Sequence, residues 1–339
     1  MMRTIVILIS ATLAFLTTPG NAISENNYLE TYSKEVIPHY EHLETGHVKG
    51  VHEDKEINLV YKVFHASNET NAIVLLPGRG MSIMNYSETI YDLRNAGFTI
   101  YTLGHRGQGE SSRVTKNPQM QYVKSFEEYV SDLSAFMDQV VKPKNHPKLF
   151  LLSDSMGGAI GSLYINRNPG VFHAALMVVP MFGIGTSTWA EATLFETAKA
   201  MVGMGFGEYY GPRQGDFKAV PASESALSRS EIRYGMANYI FTSHPELKTG
   251  GISYQWFVAA QYAIGEIRKP SFKLQLPTLI VTAQKDRVVN NTVATTLCKT
   301  WTNCALEELK DSYHGVFMER DSIRNLLLQK ITDFFEKLS

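Results

Sequence analysis

Short, continuous apolar runs rich in branched residues recur along the chain at residues 72–76, 99–103, 149–152, 174–179 and 278–282. Each has strand length, and a run without polar alternation suits a strand covered on both faces, as in a parallel sheet. Residues 56–64 (EINLVYKVF) alternate instead, which predicts an antiparallel edge strand. Helical stretches separate the apolar runs. One covers 86–95 and stops near Gly97, one covers 126–140 and stops at Pro143, and one covers 156–167 and stops at Asn168-Pro169-Gly170. Strand and helix in alternation predict a mostly parallel, doubly wound α/β sheet.

The rhythm breaks between about Gly183 and Pro270. There the chain becomes helical and aromatic, with Trp189, Phe195, Phe206, Tyr210, Tyr234 and Trp256 among its residues. The strand pattern returns at Leu276-Pro277-Thr278. The expected organisation is a core over 23–183 and 270–339, interrupted by a helical cap over 184–269. Apolar walls with few charges suit an acyl chain, although the same aromatics could simply hold the cap together.

The first 22 residues stand apart. Arg3 gives a positive start, residues 5–16 are mostly apolar, and Gly20-Asn21-Ala22 ends in small residues. This is the pattern of a secretory signal peptide cleaved after Ala22, and the apolar run is shorter than the roughly 20 residues of a membrane span. The expectation is an exported protein, periplasmic or extracellular. The two cysteines, Cys298 and Cys304, are then candidates for a local disulfide, with two buried thiols as the alternative.

The formal net charge is −1 and charged residues make up 19% of the chain, so no electrostatic case exists for a nucleic-acid partner. The histidines at 39, 42, 47 and 52 lie in a polar stretch and read as scattered surface residues rather than metal ligands.

Candidate chemistry centres on Leu149-Phe-Leu-Leu-Ser-Asp-Ser155-Met-Gly-Gly158. Ser155 falls between a buried run and a helix, flanked by small residues that a sharp strand-to-helix turn requires. Ser153 takes the place of the first glycine of G-x-S-x-G, a mild departure. A serine nucleophile needs a base, itself held by an acid. Asp286, after the run at 278–282, and His314, in a short polar loop before the last helix, follow Ser155 in the order Ser, Asp, His. An oxyanion would need two backbone amides. Met156, next to the serine, and Arg79, in Leu76-Pro-Gly-Arg-Gly80, are the candidates. An ordinary Pro-Gly turn is the alternative for the second.

Gly104-His-Arg-Gly-Gln-Gly-Glu-Ser111, the Ser-Met-Gly-Gly elbow, Ala-Gln-Lys-Asp-Arg-Val-Val and Ser-Tyr-His together resemble the monoacylglycerol lipase and bacterial lysophospholipase branch of the α/β hydrolases. Similarity extends from about residue 30 to the C-terminus. It implies an α/β-hydrolase fold with a helical cap and hydrolysis of the acyl ester of a single-chain lipid, a lysophospholipid above all, through an acyl-enzyme on Ser155. It also implies no metal or organic cofactor, with transient contact at a membrane surface. A monoacylglycerol lipase or a broad exported esterase is the alternative, and a non-catalytic binding protein on the same fold a lesser one.

Two features depart from that branch. Asp154 replaces the usual histidine, and its side chain, one residue before the nucleophile, is expected to leave the cleft. Pro77 begins the oxyanion turn where the lipases have histidine, though the bacterial lysophospholipases share the Pro-Gly-Arg form. His105 and Arg106 are expected to hold loop geometry, and Arg233 or Tyr234 could meet a head group.

Overall fold

The structure is a computed structural model that describes residues 22–339 except 53–54, 68–70 and 186–187. The expected leader therefore lies, apart from Ala22, outside the described residues. Among those residues no helix is long and apolar enough to cross a membrane.

Eight strands form one sheet: β1 (Glu44–His52), β2 (Lys55–Phe64), β3 (Asn71–Leu76), β4 (Phe98–Leu103), β5 (Leu149–Asp154), β6 (Ala174–Val178), β7 (Thr278–Ala283) and β8 (Cys304–Leu309). Their order is β1-β2-β4-β3-β5-β6-β7-β8. β1 and β2 pair antiparallel, as do β2 and β4, while every pair from β4 through β8 is parallel. The apolar runs became these inner strands because helices cover both faces, and β3 to β7 are almost wholly buried.

Residues 56–64 are not an edge strand. β1 lies outside them and takes the edge. It is hard to see in the sequence because its inward positions include Gly46, Gly50 and His52, with Val48 the one inward residue of strong apolar character among them.

The helices that frame the site are α1 (Ser87–Asp92), α2 (Phe126–Phe136), α3 (Met156–Arg167), α4 (Thr188–Gly203), α5 (Glu231–Ser243), α6 (Tyr254–Ile267), α7 (Asn291–Thr300) and α8 (Asp321–Glu336). α4, α5 and α6 occupy the interval between β6 and β7, where the sheet gains no strand. α6 differs from a simple cap helix. It buries Trp256, Ala260, Ile264 and Ile267 in the same core as the sheet, and Trp256 Nε1 donates to the Tyr129 hydroxyl at 3.1 Å.

The residues that precede β1 are also structured. Helical turns over residues 25–41 bury Tyr28, Tyr32, Val36 and Tyr40, spaced four apart on one stripe. A disulfide joins Cys298 near the end of α7 to Cys304 at the start of β8.

Strand order positions the site. From β3 the chain crosses to β4 on one side and returns through α2 to β5 on the other. The carboxyl ends of β3 and β5 therefore flank a switch in winding, where an open sheet leaves a crevice. Leu76 pairs with Ser153 in register, so the Pro77-Gly78-Arg79 turn and the Ser155 turn leave the sheet side by side.

Candidate active site

The turn after β5 is sterically forced. Ser155 has φ 49° and ψ −111°, a region that side-chain-bearing residues rarely adopt. The chain around it fixes that conformation: the Ser155 amide donates to the Val178 carbonyl at 2.9 Å, and the Met181 amide donates to the Ser155 carbonyl at 2.9 Å. Gly157 has no alternative, because a Cβ there would stand 2.4 Å from the Leu76 carbonyl oxygen. Ser153 fits the position of the missing glycine, fully buried beneath the turn.

Three side chains from separate elements meet at this turn. The Ser155 hydroxyl lies 2.9 Å from His314 Nε2, and His314 Nδ1 lies 2.8 Å from Asp286 Oδ2. With the Nδ1 proton donated to the carboxylate, Nε2 is left to accept from the hydroxyl. Asp286, just past β7, is held from its other side, where Oδ1 accepts from the Val288 and Val289 amides at 2.8 and 3.0 Å. The Lys285 amide donates to the Ser312 carbonyl at 2.8 Å, tying the acid loop to the histidine loop. Behind His314, the Tyr313 amide donates to the buried Glu319 carboxylate at 3.0 Å, and the Gly315 amide donates to the Leu227 carbonyl of the insertion at 2.6 Å.

The turn after β3 has four successive amides, Gly78 to Met81. Gly78 donates to the Tyr86 hydroxyl at 2.8 Å, Gly80 to Gln108 Oε1 at 2.9 Å and Met81 to the Gly78 carbonyl at 3.4 Å. The Arg79 amide alone of the four has no acceptor among the described residues. Met156 opens α3, so its amide is one of those a helix leaves unpaired.

Gln108 and His105 brace the turn from the Gly104-His-Arg-Gly segment. Gln108 Nε2 donates to the Gly78 and Met81 carbonyls, and His105 Nε2 stands 3.1 Å from the Pro77 carbonyl. Burial pushes His105 down to about 4, so its ring is neutral and can donate from Nε2. Arg106 forms a bidentate pair with Asp132 and bonds Glu128.

Asp154 does not leave the cleft. It lines a cavity of about 80 Å³ together with Ser155 and His314, walled also by Met81, Leu227, Phe317 and Met318. Its Oδ2 accepts from the Tyr86 hydroxyl at 2.6 Å, while Oδ1 is buried without a hydrogen-bond partner. Burial raises this carboxyl to about 6, against the opposing pull of His314 and the Tyr86 bond.

Other expectations fare unevenly. Arg233 is not free to meet a head group, because it is buried in bonds to Glu88, Asp321 and the Ile23 and Glu319 carbonyls. His52 is no surface histidine: it is buried with Nδ1 2.8 Å from Glu128 Oε1. Among the described residues no cluster of histidine, cysteine and carboxylate side chains could hold a metal ion. The side chain of Trp189 lies outside the described residues. A groove of about 710 Å³ between residues 29–41 and α5 does not include Ser155.

A family model described as serine aminopeptidase, S33, matches residues 67–321, which span the Pro77-Gly78-Arg79 turn, the Ser155 turn, Asp286 and His314. The chain belongs to this α/β-hydrolase family. Lysophospholipase L2 of Escherichia coli strain K12 is 32% identical over 81% of this chain and 83% of its own. The monoglyceride lipase of Mus musculus is 21% identical over 76% of this chain and 79% of its own. Among solved structures, a soluble variant of monoglyceride lipase from Saccharomyces cerevisiae, in complex with a substrate analogue, superposes with a TM-score of 0.68. It covers 86% of this chain and 94% of its own at 16% identity, a likeness of fold. This α/β hydrolase is a carboxylic ester hydrolase.

Proposed function

We propose that the enzyme hydrolyses the acyl ester of a single-chain lipid, a lysophospholipid above all, through an acyl-enzyme on Ser155. The observation that carries this reading is the hydrogen-bonded file Ser155–His314–Asp286 beside the unpaired Arg79 and Met156 amides. Ser155 Oγ attacks the ester carbonyl carbon while His314 Nε2 takes the hydroxyl proton, and the Asp286 carboxylate steadies the imidazolium so formed. The carbonyl oxygen becomes an oxyanion and accepts from the Arg79 and Met156 amides. The intermediate collapses, the C–O bond to the alcohol breaks, and His314 returns the proton to the leaving oxygen. Water, deprotonated by His314, then releases the fatty acid and restores the serine.

The lipid part of the reading is supported by the apolar walls around Ser155 and by relatives named lysophospholipase and monoglyceride lipase. We also propose that the protein is exported, which the Cys298–Cys304 disulfide supports, since such bonds persist in oxidising compartments. The test is incubation with a lysophospholipid, a monoacylglycerol and a short-chain ester, with products read by mass spectrometry. Release of fatty acid from the lysophospholipid at the highest kcat/KM is expected. Equal rates on all three would indicate a general esterase.

A further inference from the structure

The turn that presents the Arg79 amide also carries a cation without a counter-charge. Arg106, Arg233 and Arg324 are all buried, and each is paired with carboxylates. Arg79 is half-buried, yet among the described residues it forms no ion pair. Its side chain makes one hydrogen bond, a long one from Nη1 to the Gly250 carbonyl at 3.5 Å. Burial without a partner pushes the guanidinium pKa down, the mark of a charge whose desolvation nothing nearby offsets.

Arg79 borders two cavities. One is the cavity of Ser155 and His314. The other, of about 390 Å³, lies between Arg79 and two loops of the insertion, at 213–218 and 249–251. Arg213 and Lys218 line it as well, and neither has an ion pair among the described residues. The one acid in its wall, Asp216, is occupied: its Oδ1 accepts from the Tyr210 hydroxyl at 2.6 Å and from Asn117 Nδ2 at 2.8 Å. Three cations thus face one engaged carboxylate, in a chain whose formal net charge is −1.

The loop geometry is specific. Arg213 holds φ 61°, in the left-handed region that side-chain-bearing residues avoid. Gly250 and Gly251 permit the two loops to touch, since a Cβ on either would come within 2.6 Å of Gly215 O or Gln214 Oε1.

We propose that this cavity is the subsite for an anionic phosphodiester head group, held by Arg79, Arg213 and Lys218 while the adjoining ester is presented to Ser155. The proposal rests on the single-chain lipid reading above and assigns its head group a place. A guanidinium matches two phosphate oxygens at once, and Arg79 at the junction of the cavities can bond the phosphate next to the reacting glycerol. A neutral monoacylglycerol would leave all three cations unpaired, so the site discriminates by charge.

Binding of non-hydrolysable ethers tests this without turnover. The octyl ether of glycerophosphate methyl ester and octylglycerol share chain and glycerol and differ in the methyl phosphodiester. Calorimetry on the wild-type protein should show the phospholipid ether bound at least about tenfold more tightly, or ~1.4 kcal/mol. In Arg213→Gln/Lys218→Gln and in Arg79→Gln that advantage should shrink to below about threefold and, in the wild type, should weaken with salt. Equal affinity in the wild type, or an advantage that survives in both variants, would overturn the subsite. So would displacement by inorganic phosphate at concentrations as low as the lipid's own Kd, which would mark a free-anion site. A protein that shows the advantage but cleaves no lipid ester would keep the subsite and sink the proposed function.

Discussion

The Tyr86 hydroxyl donates to Asp154 Oδ2 at 2.6 Å while accepting from the Gly78 amide at 2.8 Å. One phenol thus connects the residue before Ser155 to the turn that presents the Arg79 amide. Tyr86→Phe removes both bonds and leaves the Gly78 amide and both Asp154 oxygens unpaired. Loss of an oxyanion donor costs about 10²–10³ in rate, and a displaced turn should cost part of that. A fall in kcat of about ten- to hundredfold with little change in KM is expected from steady-state kinetics on a soluble ester. An unchanged kcat would show that Tyr86 does not set the turn.

Asp154 makes stability depend on pH in a defined direction. Its carboxyl is raised from 3.8 to about 6, with burial the largest cause. Well below pH 3.8 it is neutral in folded and unfolded chains alike and contributes no penalty, and at pH 4 the penalty is still small. Between 4 and 6 the folded state binds more protons, so this group lowers stability as pH rises. Above 6 the penalty is complete, on the order of 3 kcal/mol. Asp154→Asn should therefore raise Tm at pH 7.5 and leave it nearly unchanged at pH 4. A gain equal at both pH values would place the carboxyl at its ordinary pKa.

Trp256 belongs to the core rather than to the cavity of Ser155. It is 1% exposed and packs against Phe126. Trp256→Ala should destabilise by about 3–5 kcal/mol and leave the ratio of kcat/KM between a long-chain and a short-chain ester as in the wild type, in the protein that remains folded. A change in that ratio without a fall in Tm would place Trp256 against the acyl chain.

The Cys298–Cys304 bridge closes a short loop beside β8. Chain entropy over so few residues gives about 2 kcal/mol. Cys298→Ser/Cys304→Ser should lower stability in urea by about that much while kcat stays as in the wild type. Loss of activity in folded double variant would tie the bridge to the site.

What was legible in the sequence was local. The small residues around Ser155 reflect a turn with no room for a Cβ at Gly157, and the inner strands are apolar because both faces are covered. Asp286 and His314 could be nominated from chain order, and the structure brings both to Ser155. What was missed depends on partners distant in sequence. β1 hides behind Gly46, Gly50 and His52. The helical turns at 25–41 do show in the sequence, in the four-residue spacing of Tyr28, Tyr32, Val36 and Tyr40. Asp154 could not be oriented without Tyr86, which lies 68 residues earlier. Nor could Arg233 be withdrawn from the substrate without Glu88 and Asp321.

Ser155 is the proposed nucleophile of this ester hydrolase. Fatty acid release from a lysophospholipid by purified wild-type and Ser155→Ala proteins of matched Tm tests it most directly. A loss of roughly 10⁴–10⁶-fold is expected, since alanine fits the turn and removes the attacking oxygen alone. Retention of more than about a tenth of the wild-type rate would contradict it.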